Sequence, residues 1–357
     1  MTVLKNKIHN LIKKSGPISL SLFMEISMKD KMNGYYRKKM PLGSKGDFVT
    51  APDISQIFGE IIGIWILDIW IKLGQPNDLQ IVDLGGGRGT LLRDIDRVLS
   101  NKIKDLIFID INKELIKIQK ENIKNAKHFE KITDIPKKPT IFIGNEFLDT
   151  FPIHQFIKKN NSWKEICINS NSNELFFSNE KTELSKKIES QNLLNLDNNS
   201  VIEINFKIRE IIKNISNFIK KNSGAAIFFD YGYLNGYGNS LQGIRKNKFI
   251  NPLAEPGLID LTSHVDFGDI KIQSKYNNVD IYGPITQGTF LENMGALERL
   301  AVLEKNANDS QKNELRSGLK RLMSKDEMGN LFKVFALSPK NFPSLEGFTC
   351  AKRTIRK

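Results

Sequence analysis

The stretch Leu79-Gln-Ile-Val-Asp-Leu-Gly-Gly-Gly-Arg-Gly-Thr-Leu-Leu92 predicts a hydrophobic strand, a glycine turn and the start of a helix. Glycine occupies every second position of the turn, at Gly85, Gly87 and Gly89. Because glycine reaches positive φ without steric penalty, such a turn can bend sharply and lie close to a ligand. The stretch therefore predicts a turn that holds a nucleotide; the alternative is a purely structural turn at a strand end.

The spacing of the glycines indicates which kind of nucleotide-binding motif this turn resembles. The dinucleotide fingerprint needs a glycine where this chain has Thr90, and the phosphate loop needs a Gly-Lys-Ser/Thr ending that is absent. Asp83 to Gly89 instead reads Asp-x-Gly-x-Gly-x-Gly, which resembles the first motif of class I S-adenosylmethionine methyltransferases. The next predicted strand ends in Asp110, close to the ~20-residue interval at which dinucleotide sites place a ribose-binding acid.

Length and composition fit a globular protein of one large or two modest domains. The chain has 357 residues, 40% of them hydrophobic and 26% charged. The net charge of +13 comes from lysines scattered along the whole chain. Since no long basic run with interleaved aromatic residues occurs, we expect no nucleic-acid partner.

Cysteine usage and hydropathy bear on the compartment. Cys167 and Cys350 have no metal-ligand spacing, which indicates a reducing compartment without a disulfide framework, and the four dispersed histidines predict no metal site. The most apolar stretch, 57–73, is interrupted by Glu60 and Asp68 and is interpreted as a buried helix rather than a membrane span. The N-terminus has lysines but no apolar segment followed by a cleavage site, so we expect no secretory signal.

The first 75 residues predict helices and an ordered loop. Apolar spacing favours helices over 3–14 and 20–28. After a polar loop, Thr50 and Asp53 have the spacing of a capping box at the start of the next helix.

A polar stripe follows on that otherwise apolar helix. Asp53, Gln56 and Glu60 are spaced to share one face. We interpret Gln56 as a cofactor contact and Glu60 as a supporting carboxylate; the alternative is that Glu60 lies at the solvent edge.

Strands and helices then alternate, which predicts a right-handed, doubly wound parallel α/β sheet. Ligands bind at the carboxyl ends of the strands in such sheets, where Gly85, Asp110 and Asn145 are expected. The predicted strands are 79–84, 106–110, 128–132, 140–144, 225–230, 279–285 and 332–337, with a C-terminal helix over 290–303.

The change of pattern along the chain suggests how it is divided. We expect an N-terminal helical segment over 1–75, a core formed by 76–155 and 204–357, and an antiparallel insertion over 156–203. Within the core, 231–263 is a long loop of the kind that usually has a function, here a lid.

Seven segments of the chain read as motifs, namely Gly-Tyr-Tyr at 34–36, Gly-Asp-Phe-Val-Thr-Ala-Pro-Asp-Ile-Ser-Gln-Ile-Phe-Gly-Glu at 46–60, Asp-Leu-Gly-Gly-Gly-Arg-Gly-Thr-Leu at 83–91, Asn-Glu-Phe-Leu-Asp at 145–149, His-Val-Asp-Phe at 264–267, Tyr-Gly-Pro-Ile-Thr-Gln-Gly-Thr-Phe-Leu at 282–291 and Met-Gly-Asn-Leu-Phe-Lys-Val at 328–334. Together they resemble the MidA-like methyltransferases, a family that includes the mitochondrial complex I assembly factor that dimethylates an arginine of a complex I core subunit. The resemblance covers nearly the whole chain, with Gly86 where the family commonly has proline and Asp83 where it often has glutamate. It implies a class I, Rossmann-like methyltransferase fold, S-adenosyl-L-methionine as cofactor and a protein arginine as substrate. No presequence is recognised before the first helix that resembles the family, which points to a bacterial cytoplasmic member.

An arginine acceptor needs carboxylates, because guanidinium is always charged and a poor nucleophile. Glu146, at the end of the fourth strand, is the best candidate, and Asp149, Asp266 and Glu60 are supporting candidates. Asp149 has an alternative role as a helix N-terminal acid. His264 is either a proton acceptor or a hydrogen-bonded loop anchor.

The overall charge constrains this hypothesis. A chain of net charge +13 repels a cationic acceptor, so carboxylates must reverse the local field within a Debye length of ~8 Å. We expect several acids to converge on one cleft with Glu146 innermost, from the set Glu60, Glu146, Asp149, Asp230 and Asp266.

Two other classes of function remain open from the sequence. A small-molecule methyltransferase would have a closed pocket under the 231–263 loop, whereas a protein substrate favours an open acidic groove. A non-catalytic assembly chaperone would bind the cofactor without turnover. The sequence does not decide the oligomeric state.

Overall fold

The computed structural model describes residues 2–38, 49–172, 174–190, 196–234, 237–246 and 248–348. Part of the loop expected before Thr50, the first three residues of the 46–60 motif, and Cys350 lie outside the described residues.

Within the described residues the main sheet has eight strands, seven of which lie side by side in one path. In chain order these seven are β1 (Gln80–Leu84), β2 (Asp105–Ile109), β3 (Lys127–Phe129), β4 (Thr140–Asn145), β5 (Gly224–Tyr233), β6 (Val279–Thr286) and β7 (Phe332–Pro339). Their spatial order is β3-β2-β1-β4-β5-β7-β6, and the short strand Val265–Asp266 pairs with the end of β5. The predicted parallel arrangement is confirmed for β1 to β5, whereas β7 is antiparallel to both of its neighbours.

Helices cover both faces of the sheet because each buried strand alternates its side chains between two apolar layers. Ile81 packs with the helices Gln56–Lys72 and Thr90–Leu99 on one face. Its neighbour Val82 packs with Phe206–Asn222 and Phe267–Tyr276 on the other. The remaining helices are Val3–Ser15, Leu20–Lys29, Tyr35–Lys38, Ala51–Ile54, Lys113–Asn122, Glu183–Ser190, Gln287–Asn293, Ala296–Glu304, Asp309–Met323 and Met328–Leu331.

A second sheet, antiparallel, lies between β4 and β5 in the chain. Its strands are His154–Lys159, Ser162–Ser170, Leu175–Glu180 and Val201–Ile204. The short strand Ile18–Ser19 pairs with the second of these, so the N-terminal helices share an apolar core with this sheet.

Three local expectations are wrong. Thr50 makes no side-chain cap bond, and Ser55 in extended conformation ends one short helix and caps the next, so Asp53 and Gln56 are not on one helix. The 290–303 helix is two helices separated by Gly295, whose φ is 85°. The 231–263 segment is not a plain loop, because it contains a small sheet of Gln242–Arg245, Lys248–Phe249 and Asp260–Thr262.

The apolar helix Gln56–Lys72 is buried against the sheet, as its composition predicts. In the described part of the chain, no helix combines the length and hydropathy needed to span a membrane.

Candidate active site

The glycine turn has the backbone that its sequence predicts. Gly85, Gly87 and Gly89 have φ values of 66°, 54° and 80°. The turn begins where the fully buried strand β1 ends and leads into the helix Thr90–Leu99. A Cβ on Gly85 would lie 2.9 Å from the Phe147 ring, so the turn is also tightly packed from the β4 side.

Asp110, just beyond β2, is held beside this turn by a residue that sequence reasoning missed. Its Oδ1 accepts from the Asn112 backbone N–H at 2.8 Å, and its Oδ2 accepts from Gln119 Nε2 at 2.9 Å. The same Gln119 amide donates to the Gly87 carbonyl at 2.8 Å. Gln119 therefore fixes the distance between the two halves of the predicted cofactor site, and nothing in its sequence spacing signals that role.

Asp83 presents an unsatisfied carboxylate to the cavity. The residue is 1% exposed, and its Oδ2 has no hydrogen-bond partner among the residues that the structure describes. Burial, reinforced by the charge of Asp110, raises the pKa of Asp83 to about 7. A cationic ligand group would compensate this buried acid.

A cavity of ≈ 960 Å³ opens above the turn, at the carboxyl ends of the parallel strands. Its wall comes from the glycine turn, the ends of β2, β4 and β5, the N-terminal helices and the 231–263 segment. Among the described residues, eight carboxylates line it, namely Glu25, Asp53, Asp83, Asp110, Glu130, Glu146, Asp149 and Asp260.

Glu146 follows β4 and lies in this wall in a strained conformation. Its φ is 51°, in the left-handed region that non-glycine residues seldom occupy. Its backbone N–H donates to the Phe229 carbonyl at 2.8 Å, and its Oε1 accepts from the Ala51 N–H at 3.3 Å and from Asn145 Nδ2 at 3.2 Å. Burial and the charge of Asp149 raise the pKa of Glu146 to about 8.

Two further acids adjoin Glu146. Asp149 is 4% exposed, and burial raises its pKa to about 6, although the Tyr231 hydroxyl donates to it. Its Oδ1 finds no hydrogen-bond partner within the described part of the chain. Behind it, Asp230 accepts from the N–H groups of Phe147 and Leu148 at 3.2 and 2.8 Å, and burial holds its pKa well above the usual range. Of the acids expected to converge on one cleft, Glu146 and Asp149 lie together in the cavity wall, and Asp230 lies behind them without lining the cavity.

Glu60 is not part of the cavity wall, contrary to our expectation. It is 2% exposed and ion-paired with Arg97 at 2.8 Å and with Arg299 at 2.8 Å. These two guanidinium groups already hold the carboxylate, so it cannot also grip an acceptor. Gln56 lies with it, its amide 3.5 Å from Glu60, and lines a separate surface groove.

Asp266 also differs from its predicted role. Its Oδ1 accepts from the N–H groups of Gly268 and Asp269 at 2.8 and 3.1 Å, which caps the helix Phe267–Tyr276. This is the N-terminal acid role that the sequence offered as an alternative for Asp149.

His264 and Asn145 lie in the cavity wall as expected. The backbone N–H of His264 donates to Ser240 Oγ at 2.9 Å, and the His264 ring meets the Tyr231 ring edge-on with centroids 5.6 Å apart. Burial lowers the pKa of His264, which favours its neutral form. Asn145 Oδ1 is buried and, among the described residues, has no partner.

The N-terminal segment contributes residues that sequence reasoning did not assign to the site. Asp53 Oδ1 accepts from Thr90 Oγ1 at 2.8 Å, directly after the glycine turn. The Tyr36 hydroxyl donates to Asp260 at 2.9 Å across the cavity wall. The signal for both was available in the Gly-Tyr-Tyr and Thr-Ala-Pro-Asp motifs, which are polar and aromatic segments without helical periodicity.

This fold and site define a class I S-adenosylmethionine-dependent methyltransferase. A crystal structure from Burkholderia thailandensis bound to S-adenosyl-homocysteine has the same fold, with a TM-score of 0.86 and 22% identity over 98% of this chain and 94% of that one. A second, native structure from the same organism and superfamily gives a TM-score of 0.84 and 22% identity over 97% and 94%.

Residues 61–285 match the model of a family described as S-adenosyl-L-methionine-dependent methyltransferases. The chain is 33% identical to the mitochondrial protein arginine methyltransferase NDUFAF7 of Xenopus tropicalis, over 95% of this chain and 87% of that protein. It is 32% identical to the human protein of that name, over 92% and 82%. The chain therefore belongs to this methyltransferase family, and its cofactor is S-adenosyl-L-methionine.

Proposed function

We propose that this protein methylates a protein arginine, on a core subunit of complex I (NADH:quinone oxidoreductase), and thereby aids assembly of that complex. The names of the vertebrate relatives support arginine as the acceptor. The observation that carries the proposal is the pair of carboxylates Glu146 and Asp149 in the cavity wall, one strained and the other with a buried, unpaired oxygen. The complex I subunit follows from the family resemblance.

The residues around the glycine turn fit the cofactor. Gly85 and Gly87 allow the backbone to pass beneath it, the unpaired Asp83 suits its cationic amino acid portion, and Asp110 suits the ribose hydroxyls. When bound, S-adenosylmethionine supplies an electrophilic methyl group on a sulfonium.

The remaining chemistry belongs to the acceptor side. Methyl transfer is an in-line displacement, so the protein must align a guanidinium nitrogen with the methyl group and tune it. Glu146 and Asp149 bind the guanidinium fork and localise electron density on one nitrogen. The nitrogen that gains the methyl group loses a proton, and we assign its acceptance to Asp149 Oδ1 because this oxygen has no hydrogen-bond partner among the described residues. The cytoplasm is proposed as the compartment, which suits the free, buried Cys167.

The first test is Glu146→Gln, which keeps the side-chain shape and removes the carboxyl group that can ionise when a guanidinium binds beside it. We expect methyl transfer to an arginine peptide to fall by orders of magnitude, while calorimetric affinity for S-adenosyl-homocysteine stays within about twofold. The matched control is Glu130→Gln, an exposed acid of the same cavity wall, which should retain activity. Full activity of the Glu146 variant would favour a neutral small-molecule acceptor.

The substrate itself is tested by mass spectrometry of complex I from cells with and without the gene. We expect loss of methylation at one arginine of the core subunit in the deletion strain. Identical methylation in both strains contradicts the arginine proposal, and normal assembly restored by a Glu146→Gln protein favours a chaperone role without turnover.

A further inference from the structure

Buried and exposed charges differ in sign balance along the cavity wall. The acids Asp83, Asp149 and Asp260 are buried, whereas the exposed charges of the same wall are mostly basic, with Lys31, Arg88, Lys131, Lys207 and Lys248 against Glu25 and Glu130. The buried acids can therefore attract a cation although the exposed part of the wall carries the positive charge of the protein as a whole. The exposed basic residues therefore repel a free cation that approaches from solvent. A cation that carries negative charge beside it is not repelled in this way.

Three lysines from three different elements line the cavity. Lys29 is half-buried, with its Nζ 4.5 Å from the centroid of the Phe151 ring and 3.7 Å from Glu25, and burial lowers its pKa although Glu25 opposes that shift. Lys207 pairs with Glu210 at 2.7 Å, and because ion pairs this exposed are weak, its ammonium can still bind an acidic ligand. Lys248 lines the same cavity from the 231–263 segment. We call Lys29, Lys207 and Lys248 the basic rim.

Large apolar side chains stand in the same wall. Phe249 is 75% exposed and Leu331 is 54% exposed, and both line the cavity. Exposed apolar residues beside a polar rim are typical of surfaces that bind a protein segment.

We propose that the acceptor is an arginine in a peptide segment whose nearest neighbours are apolar and whose flanks are acidic, with the acidic flanks held by the basic rim and the apolar neighbours by Phe249 and Leu331. This specificity rests on the proposed arginine methyltransferase function. Acidic flanks neutralise the repulsion that a lone arginine meets at the rim, so charge complementarity selects the substrate before the buried acids bind the guanidinium.

The experiment compares two short synthetic peptides, each with a single central arginine between two leucines. The outer positions are acidic in one peptide and basic in the other. Binding is measured by fluorescence anisotropy with S-adenosyl-homocysteine present, and methyl transfer is measured in parallel with S-adenosylmethionine. We expect the acidic-flank peptide to bind at least about tenfold more tightly, with a preference that weakens as salt rises.

The variant is Lys207→Glu with Lys248→Glu, which leaves the half-buried Lys29 in place. We expect it to shift the ratio of acidic-flank to basic-flank binding by about tenfold toward the basic peptide, since each exposed charge contact is modest. The control is Lys102→Glu with Lys221→Glu, two exposed lysines outside the cavity wall, which changes the net charge equally and should leave the ratio unchanged.

The outcomes separate the two proposals. Equal binding of both peptides, binding of neither, or an equal shift in the control variant overturns the specificity proposal. The expected binding preference without any methyl transfer supports the specificity and contradicts the arginine methyltransferase function.

Discussion

Single backbone positions decide the cofactor side of the site. Gly86 stands where the family commonly has proline, and a Cβ there would lie 2.5 Å from the Phe108 ring and 2.7 Å from Asp83 Oδ2. In this chain, packing from β2 and β1 therefore excludes a larger residue unless both side chains move. The turn is specified by its neighbours as much as by its own φ values.

Gly87→Val should abolish cofactor binding. Position 87 has a φ of 54°, which a β-branched residue adopts only with strain, and its side chain would lie where the ligand passes. The control is Gly74→Val, another positive-φ glycine at 81° with open space around a Cβ. Calorimetry with S-adenosyl-homocysteine on folded proteins should show binding only for the control; unchanged affinity of the position 87 variant would refute the site.

Glu146 illustrates strain at a functional residue. A left-handed conformation costs of order 1–3 kcal/mol at such a residue and persists only where the surroundings over-determine it. Here the Phe229 carbonyl accepts its N–H, and the Ala51 N–H binds its carboxylate. The strain directs the chain after β4 so that Glu146 and Asp149 both face the cavity.

At the scale of elements, the helix Lys113–Asn122 acts as a clamp on the cofactor site. Through Gln119 it binds both the Gly87 carbonyl and the Asp110 carboxylate. Similarly, the short helix Ala51–Ile54 contacts Glu146 through a backbone N–H and Thr90 through Asp53. The cofactor half and the acceptor half of the site are thus connected by elements outside the sheet.

Gln119→Leu should weaken cofactor binding by about tenfold or more, because hydrogen bonds to a charged group are worth roughly 1.5–3 kcal/mol and the Asp110 carboxylate would lose its orientation. The helix itself should remain folded, as circular dichroism would show. Gln273→Leu is the control, since Gln273 makes a comparable bond of 3.2 Å to Asp269 on a helix remote from the cavity wall. Equal cofactor affinity in both variants contradicts the clamp.

At the scale of the whole molecule, a protein of net charge +13 buries several acids in one cavity wall, and two of them, Asp83 and Asp149, have an oxygen without a hydrogen-bond partner among the described residues. Burial raises the pKa of Asp83 to about 7, of Glu146 to about 8 and of Asp149 to about 6. The folded state therefore binds protons more tightly than the unfolded chain at these sites. Their contribution to stability is complete below the unfolded pKa of about 4 and is lost as pH rises through about 6 to 8.

Thermal unfolding between about pH 5.5 and pH 8.5 should show this loss. We expect the Tm of the wild-type protein to fall over that window and the Tm of Glu146→Gln to fall less, so that the variant is the more stable of the two at the alkaline end. Acids with lowered pKa, such as Glu60 and Asp105, gain their stabilisation at lower pH and do not mask the effect. A parallel pH dependence of the two proteins contradicts the buried charge assignment.

The sequence by itself determined the strand, turn and acid of the cofactor side. Gly85, Gly87 and Gly89 specify the backbone conformation locally, and Asp110 follows from the order of strands in a parallel sheet. Burial of the helix Gln56–Lys72 was predictable from its apolar composition. The parallel pairing of β1 to β5 was predictable from the alternation of strands and helices along the chain.

Only the tertiary structure decided which acids meet. Glu60 lies outside the cavity wall because it pairs with Arg299, which is 239 residues away in the chain. Asp53 lines the cavity because Ser55 ends its short helix and separates it from the helix that contains Glu60. Gln119 and Tyr36 acquire their contacts from packing between distant segments. Such partnerships depend on long-range juxtaposition and desolvation, which no spacing within one element encodes.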